Sequence, residues 1–142
     1  MTGAQPVADG ISHDAAACIA ELESIHVEIA AWFDGSAKPD ALDAIMTRFA
    51  PDFTLVSTGG AALDRAALTQ LFAQAYGARR GCTIVIRDIA VIAAWPGGAV
   101  LGFTEHQSSE AATNVRRSTA VFDVDTARNV RWRRLQETFV TA

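Results

Sequence analysis

The sequence predicts an α+β domain in which amphipathic helices cover one face of a curved antiparallel sheet. Three observations predict it. Up to about residue 76, apolar residues recur at spacings of three and four, the period of a helix with one buried face. From Cys82 onward the pattern changes to long Ile- and Val-rich stretches separated by turn residues. Helices gathered ahead of strands, rather than alternating with them, argue for α+β over a parallel α/β fold. The chain of 142 residues, 50% of them hydrophobic, suits one domain with one core.

Residues 1–13 hold Gly3, Pro6 and Gly10 without periodicity and read as a flexible arm, leaving 14–142 as the single domain. The first helix is expected near Asp14–Phe33, with Ser12 or Asp14 as cap. Its stripe is Cys18, Leu22, Ile25, Ile29 and Trp32. Asp34-Gly35 ends it, because Gly35 can take positive φ. A second helix is expected from Pro39, with Leu42, Ile45, Met46 and Phe49 inward and Pro51 as its stop. Phe53–Ser57 reads as a short strand and Thr58–Ala61 as a turn. Asp64 caps a third helix, Arg65–Tyr76, that buries Leu68, Leu71, Phe72 and Ala75. Four long strands follow, Thr83–Trp95, Ala99–Gln107, Val115–Val124 and Val130–Val140, and no tract divides the chain further.

Bulk chemistry narrows the function. A formal net charge of −4 argues against a nucleic-acid binder. The late arginines, Arg116, Arg117, Arg128, Arg131, Arg133 and Arg134, are split between strand faces by alternation. Cys18 and Cys82 are isolated and read as buried thiols, so a reducing cytoplasm is expected. Met1–Asp9 lacks the basic and apolar regions of a secretory signal, and no apolar run is long enough to span a bilayer. No phosphate-cradling loop, nucleophile elbow or metal motif is present, so neither a cofactor nor a metal is expected.

Several segments resemble the nuclear transport factor 2-like superfamily, in its SnoaL-like bacterial branch. ELESIHVEIAAWFDG and LDAIMTRFAPDFTLVSTGG are similar to that group's opening helices and first strand. LDRAALTQLFAQAYG is similar to its glycine-then-helix segment. RRSTAVFDVD and VRWRRLQETF are similar to its closing strand pair, the second led by a Trp. The resemblance spans roughly residues 15–140. It implies a cone-shaped α+β barrel around an apolar-walled cavity, and a homodimer through the outer sheet face. It does not imply an activity, because the group holds isomerases, cyclases, hydrolases, dehydratases and non-catalytic binding domains. Many relatives carry histidines after that Trp. Leu135, Gln136 and Glu137 stand there in this chain.

Unbulged hairpins, with Trp95 opposite Ala99, Gln107 opposite Val115 and Val124 opposite Val130, place even-numbered side chains on one sheet face. That register sets Asp88 opposite His106, and His106 opposite Arg116. Cross-strand neighbours lie about 4.5–5.5 Å apart at Cβ. An Asp–His pair suits proton transfer, and Arg116 beside it suits an anion or enolate, so Asp88 and His106 are the catalytic candidates. The plainer reading is a cross-strand ion pair of Asp88 with Arg116, with His106 at a solvated rim. Trp32, Arg116, Phe122, Trp132, Arg134 and Gln136 are the candidate ligand-binding residues, Arg134 as an anchor for a carboxylate. His26, one turn from Leu22 and Ile29, reads either as a cavity residue or, more simply, as a satisfied histidine at the core edge. The odd-numbered face, with Leu101, Phe103, Leu135 and Phe139 among charged residues, fits a dimer surface.

The expected function is therefore binding of a small apolar or carboxylate-bearing metabolite. The candidate chemistry is cofactor-free isomerisation, dehydration or hydrolysis. The competing expectation is a non-catalytic dimeric interaction domain whose cavity is filled.

Overall fold

The computed structural model describes residues 13–141. The expected arm, 1–13, lies outside them except for His13, which opens α1 (His13–Asp34). Cys18, Leu22, Ile25, Ile29 and Trp32 of α1 are buried, as the stripe predicts, and Ala15, His26 and Phe33 are buried with them. Asp14 acts at long range. Its carboxylate accepts the Gly97 N–H at 2.8 Å and pairs with Arg128, pinning the helix start to two sheet turns. Gly35, at φ +87°, ends the helix. It also packs so closely on Gly77 that a Cβ there would lie 3.2 Å from the Gly77 Cα.

The expected second helix is shorter than its pattern. A 3₁₀ turn, Pro39–Ala41, leads into α2 (Leu42–Met46), and Phe49 already belongs to β1 (Phe49–Val56). Tertiary pairing overrides the local period here. β1 adds to the sheet and buries Phe49, Ala50, Phe53 and Leu55, while the Arg48 carbonyl accepts the Trp132 N–H at 2.9 Å. β2 (Ala62–Asp64) returns antiparallel to β1. α3 (Arg65–Ala75) then starts on an Asp64 cap that accepts the Ala67 N–H at 2.8 Å. Leu68 and Phe72 are buried, but Leu71 is exposed, contrary to the expected face.

The long strands are β3 (Thr83–Trp95), β4 (Gly98–Ser108), β5 (Thr113–Val124) and β6 (Val130–Phe139). The six-stranded sheet runs β2-β1-β6-β5-β4-β3. β1 is parallel to β6, so the sheet is mixed rather than wholly antiparallel. α1 lies across its inner face, and the core fills the space between. Among the described residues no helix is long and apolar enough to cross a membrane.

Register is where the structure departs most from expectation. Trp95 pairs with Gly98 across a two-residue Pro96-Gly97 turn, with Gly97 at φ +104°. Ser108 pairs with Thr113. Each pairing is offset by one residue from the expected one, so β4 turns its odd residues inward: Ala99, Leu101, Phe103, Glu105 and Gln107 are all buried. β5 keeps its even residues inward. β6 begins as expected, with Phe122 opposite Trp132, and then bulges, so that Ala120 faces Leu135 and Ser118 faces Glu137. β3 bulges around Asp88, which sits at φ +56°. Such bulges bend a strand and re-aim the side chains that follow.

Candidate functional site

The curved sheet, α1 and α3 enclose a cavity of about 270 Å³. Its walls are mostly apolar: Ile25, Ile29 and Phe33 from α1, Phe49, Phe53 and Leu55 from β1, Leu68 and Phe72 from α3, and Trp132 and Leu135 from β6. Against them stand His26, Arg79, Glu105, Gln107, Arg116 and Glu137. Leu71, Arg79 and Phe139, all exposed, mark the open end.

The polar residues form two connected groups. In the first, His26 Nδ1 lies 2.7 Å from the Leu22 carbonyl and Nε2 lies 3.3 Å from Glu105 Oε1. Both ring nitrogens face acceptors, so only the imidazolium satisfies both. The Phe103 and Trp132 rings meet the imidazole edge-on. Glu105 Oε2 accepts from Gln107 Nε2 at 2.6 Å, and the Gln107 carbonyl accepts from Arg79. The Arg79 guanidinium lies 4.6 Å above the Phe33 ring. A continuous line of hydrogen bonds thus runs from the α1 backbone to the cavity mouth. Burial alone would lower the His26 pKa, but the Glu105 hydrogen bond and charge outweigh it and hold the ring above its ordinary range. Burial alone would raise Glu105, but His26 and Gln107 hold it below the usual carboxylate range.

In the second group, Arg116 Nη1 donates to Glu137 Oε1 at 3.3 Å, while Nε and Nη2 donate to Asn114 Oδ1 at 3.2 and 2.9 Å. The guanidinium lies over Phe139 at 5.2 Å. Burial, then the nearby charge of Glu105, push Glu137 above the usual carboxylate range; Arg116 and His26 oppose them. Ser118, opposite Glu137 in the sheet, has a buried hydroxyl with no hydrogen-bond partner among the described residues. Arg79 has no carboxylate within ion-pair distance among the described residues, so the positive charge at the mouth is unbalanced.

Of the residues singled out from the sequence, Arg116, Trp132 and His26 line this cavity, and so do Leu135 and Phe139, expected on the outer dimer face but carried inward by the β6 bulge. Trp132 is fixed by its Nε1 donating to Glu21 at 3.1 Å. Phe122 is fully buried behind it, ring against ring at 4.5 Å. Trp32 is a core residue whose Nε1 donates to the Phe72 carbonyl at 2.7 Å and whose ring meets Tyr76. Arg134 is exposed and donates to Thr54 at 2.9 Å. Gln136 and Asp88 border a shallow groove on the outer sheet face, with Thr104, Arg117 and Thr138. His106 pairs with Val85 and Val115 on that same outer face. The expected alignment of Asp88, His106 and Arg116 therefore does not form: Glu105 stands opposite Arg116, and Asp88 falls in the bulge.

The residues that sequence reasoning passed over are Glu105, Gln107, Glu137 and Arg79, while His26, expected as a cavity residue or, more simply, as a satisfied histidine at the core edge, is both buried and in the cavity wall. A signal was present. Glu105 and Gln107 share their strand parity with Leu101 and Phe103, expected on a dimer surface but buried in the core; an apolar pair at alternate positions is the pattern of an inward face.

A scan against protein-family models finds no match, and a search of curated proteins finds none either. Solved structures do match. An NTF-2 like protein of unknown function from Pseudomonas aeruginosa is 41% identical, with a TM-score of 0.86 over 88% of this chain and 99% of that one. The CaMKII hub of S. rosetta is 15% identical, with a TM-score of 0.72 over 92% and 99%. A ketosteroid isomerase-like protein from Erwinia carotovora atroseptica is 12% identical, with a TM-score of 0.57 over 91% and 95%. The last two likenesses are of fold alone.

Proposed function

The chain belongs to the nuclear transport factor 2-like superfamily, and from that premise we propose that its cone binds a small, apolar molecule bearing one carboxylate. One observation carries the reading: an apolar-walled cavity whose polar residues include two guanidinium groups, Arg79 with no carboxylate partner among the described residues, and Arg116, anchored by Asn114 and paired with one carboxylate, Glu137, through a long contact. A volume near 270 Å³ lies just below the range of drug-sized ligand sites, about 300–1,000 Å³, and favours a compact aromatic or aliphatic acid. Apolar walls contribute affinity by removing the ligand's body from water, and the guanidinium selects the head.

Titration calorimetry with benzoate and its neutral analogue benzamide tests this. Benzoate binding at least tenfold tighter than benzamide, with the preference lost in Arg116→Met, supports the reading. Equal affinities, or none for either, would refute it.

A second reading is cofactor-free proton transfer on the bound acid. Its support is Glu137, a largely buried carboxyl that burial and the charge of Glu105 hold above the usual carboxylate range, beside a cationic residue suited to an enolate. Exchange of the α-protons of phenylacetate in heavy water, abolished by Glu137→Gln, is the result that would favour it. Absence of exchange would leave binding alone.

The outer sheet face, with exposed Val85, Ile92 and Trp95 on β3, is the surface we assign to a second copy of the chain. Light scattering that finds a monomer at micromolar concentration would remove that part of the proposal.

A further inference from the structure

The Arg116–Glu137 contact carries one step more, resting on the carboxylate-binding reading above. We propose that Glu137 is a resident substitute for the ligand's head group: an arriving carboxylate takes its place on Arg116, and Glu137 binds one proton from solvent as it yields.

Arg116 is held by Asn114 through Nε and Nη2, which leaves Nη1 as the donor that reaches Glu137. At 3.3 Å that contact is longer than the ~2.7–2.9 Å of a strong charge-assisted bond. Both side chains are only about a tenth exposed, at 12% and 11%. Glu137 is therefore a carboxylate kept from water and weakly compensated. The charged groups that face it are Arg116 from β5, Glu105 from β4 and His26 from α1, and Glu105 already has His26 and Gln107 as partners.

A second carboxylate entering this space meets Glu137 as a like charge. Two carboxylates sharing one site do not both ionise, and one takes a proton. Glu137 is the one already displaced in that direction by burial and by Glu105. Once protonated it changes from competitor to donor: its O–H can hydrogen-bond the ligand's carboxylate while Arg116 pairs with that anion from the other side. On the neighbouring strand, opposite Glu137, the buried Ser118 hydroxyl has no hydrogen-bond partner among the described residues. The overall step is association of one anion with uptake of one proton, and no covalent bond other than the O–H is made.

The test is calorimetric titration of the intact chain with benzoate between pH 6 and 8, in buffers of different ionisation enthalpy. About one proton taken up per benzoate is expected, with affinity falling about tenfold per pH unit, the slope that uptake of one proton imposes. In Glu137→Gln the side chain keeps its shape and cannot ionise. Proton uptake should fall to near zero, affinity should become flat with pH, and at pH 8 the variant should bind benzoate more tightly than the wild type. Benzoate binding without proton uptake in the wild type overturns this inference and leaves the carboxylate reading standing. Uptake that persists in Glu137→Gln moves the proton to another group, such as His26, and also overturns it. Failure of the wild type to bind benzoate at all overturns both readings together. The wild-type buffer series decides the question even if the variant proves unstable.

Discussion

Nε2 of His26 lies 3.3 Å from Oε1 of Glu105, and both side chains are more than nine-tenths shielded from solvent. The pair links α1 to β4 across the cavity wall. There helix and sheet are joined by charge as well as by apolar contact.

Breaking that pair should be costly. His26→Leu leaves a buried carboxylate with Gln107 as its remaining partner, and loss of one member of a buried ion pair typically costs about 3–5 kcal/mol. Adding Glu105→Gln in the same chain should recover most of the loss, since the stranded charge is then gone. Urea unfolding of the single and double variants measures this, and a single-variant loss under about 1 kcal/mol would contradict the account.

The pH dependence of stability follows from the same groups. His26 has a raised folded pKa, so its contribution is fully present below its ordinary 6.5 and is lost as pH rises through the folded value. Glu137, also raised, keeps a proton in the folded chain above its ordinary 4.5, and so likewise lowers stability as pH rises through that window. Glu105 is lowered, so its contribution is present above 4.5 and lost as pH falls through its folded value. Stability should therefore be greatest in mildly acid solution. Above pH 6.5 it should decline, by no more than about 1.4 kcal/mol per pH unit for each group. Urea midpoints from pH 5 to 9 check this. The decline should be shallower in His26→Leu, and a wild type that gains stability from pH 6.5 to 8.5 would refute the assignment.

The tight β3–β4 hairpin sets the parity of β4 and hence the site. A Cβ on Gly98 would lie 2.5 Å from the Phe122 carbonyl oxygen and 2.7 Å from the Trp95 ring. Gly98→Ala should cost about 1–3 kcal/mol through this crowding, read as a lowered thermal or urea midpoint. A neutral effect would mean that the hairpin has a different register.

Asp88 and His106, at the bulge and on the outer face, border none of the cone. His106→Ala and Asp88→Asn should change benzoate affinity by less than about twofold, whereas Arg116→Met should weaken it by tenfold or more, as loss of a charge-assisted contact of about 1.5–3 kcal/mol implies. A tenfold loss in His106→Ala would return the outer-face pair to consideration.

Much of the fold was legible because it rests on patterns that survive small errors. The α1 stripe, the Asp64 cap and the four long strands keep their identity when a boundary moves by a residue. Even the β1 segment was visible as a strand, though its parallel pairing with β6 depends on distant residues such as Trp132 and Arg48. The site is different, because parity does not tolerate an error of one. A turn of two residues at Pro96-Gly97 instead of three moved Glu105 inward and His106 outward. A bulge after Trp132 then carried Glu137 inward and left Gln136 outside. Neither event leaves a local mark strong enough to read: Pro-Gly-Gly permits either turn, and Arg133-Arg134 does not announce a bulge. Trp132 kept the expected face because the β5–β6 register holds as far as that residue, and Arg116 kept it because β5 itself does not bulge, although both of its cross-strand partners shifted by one. His26 needed only its partner to be recognised, and that partner was hidden by the β4 parity.

The central claim is that the cone takes an apolar carboxylate with its head on Arg116. The most direct measurement is a crystal of the chain grown with 4-bromobenzoate, with the bromine located by its anomalous signal. The account predicts one strong peak inside the cavity among Phe53, Leu68 and Phe72, with the carboxylate within hydrogen-bond distance of the Arg116 guanidinium. A cavity without bromine at saturating 4-bromobenzoate, or bromine bound only on the outer sheet face, would contradict it.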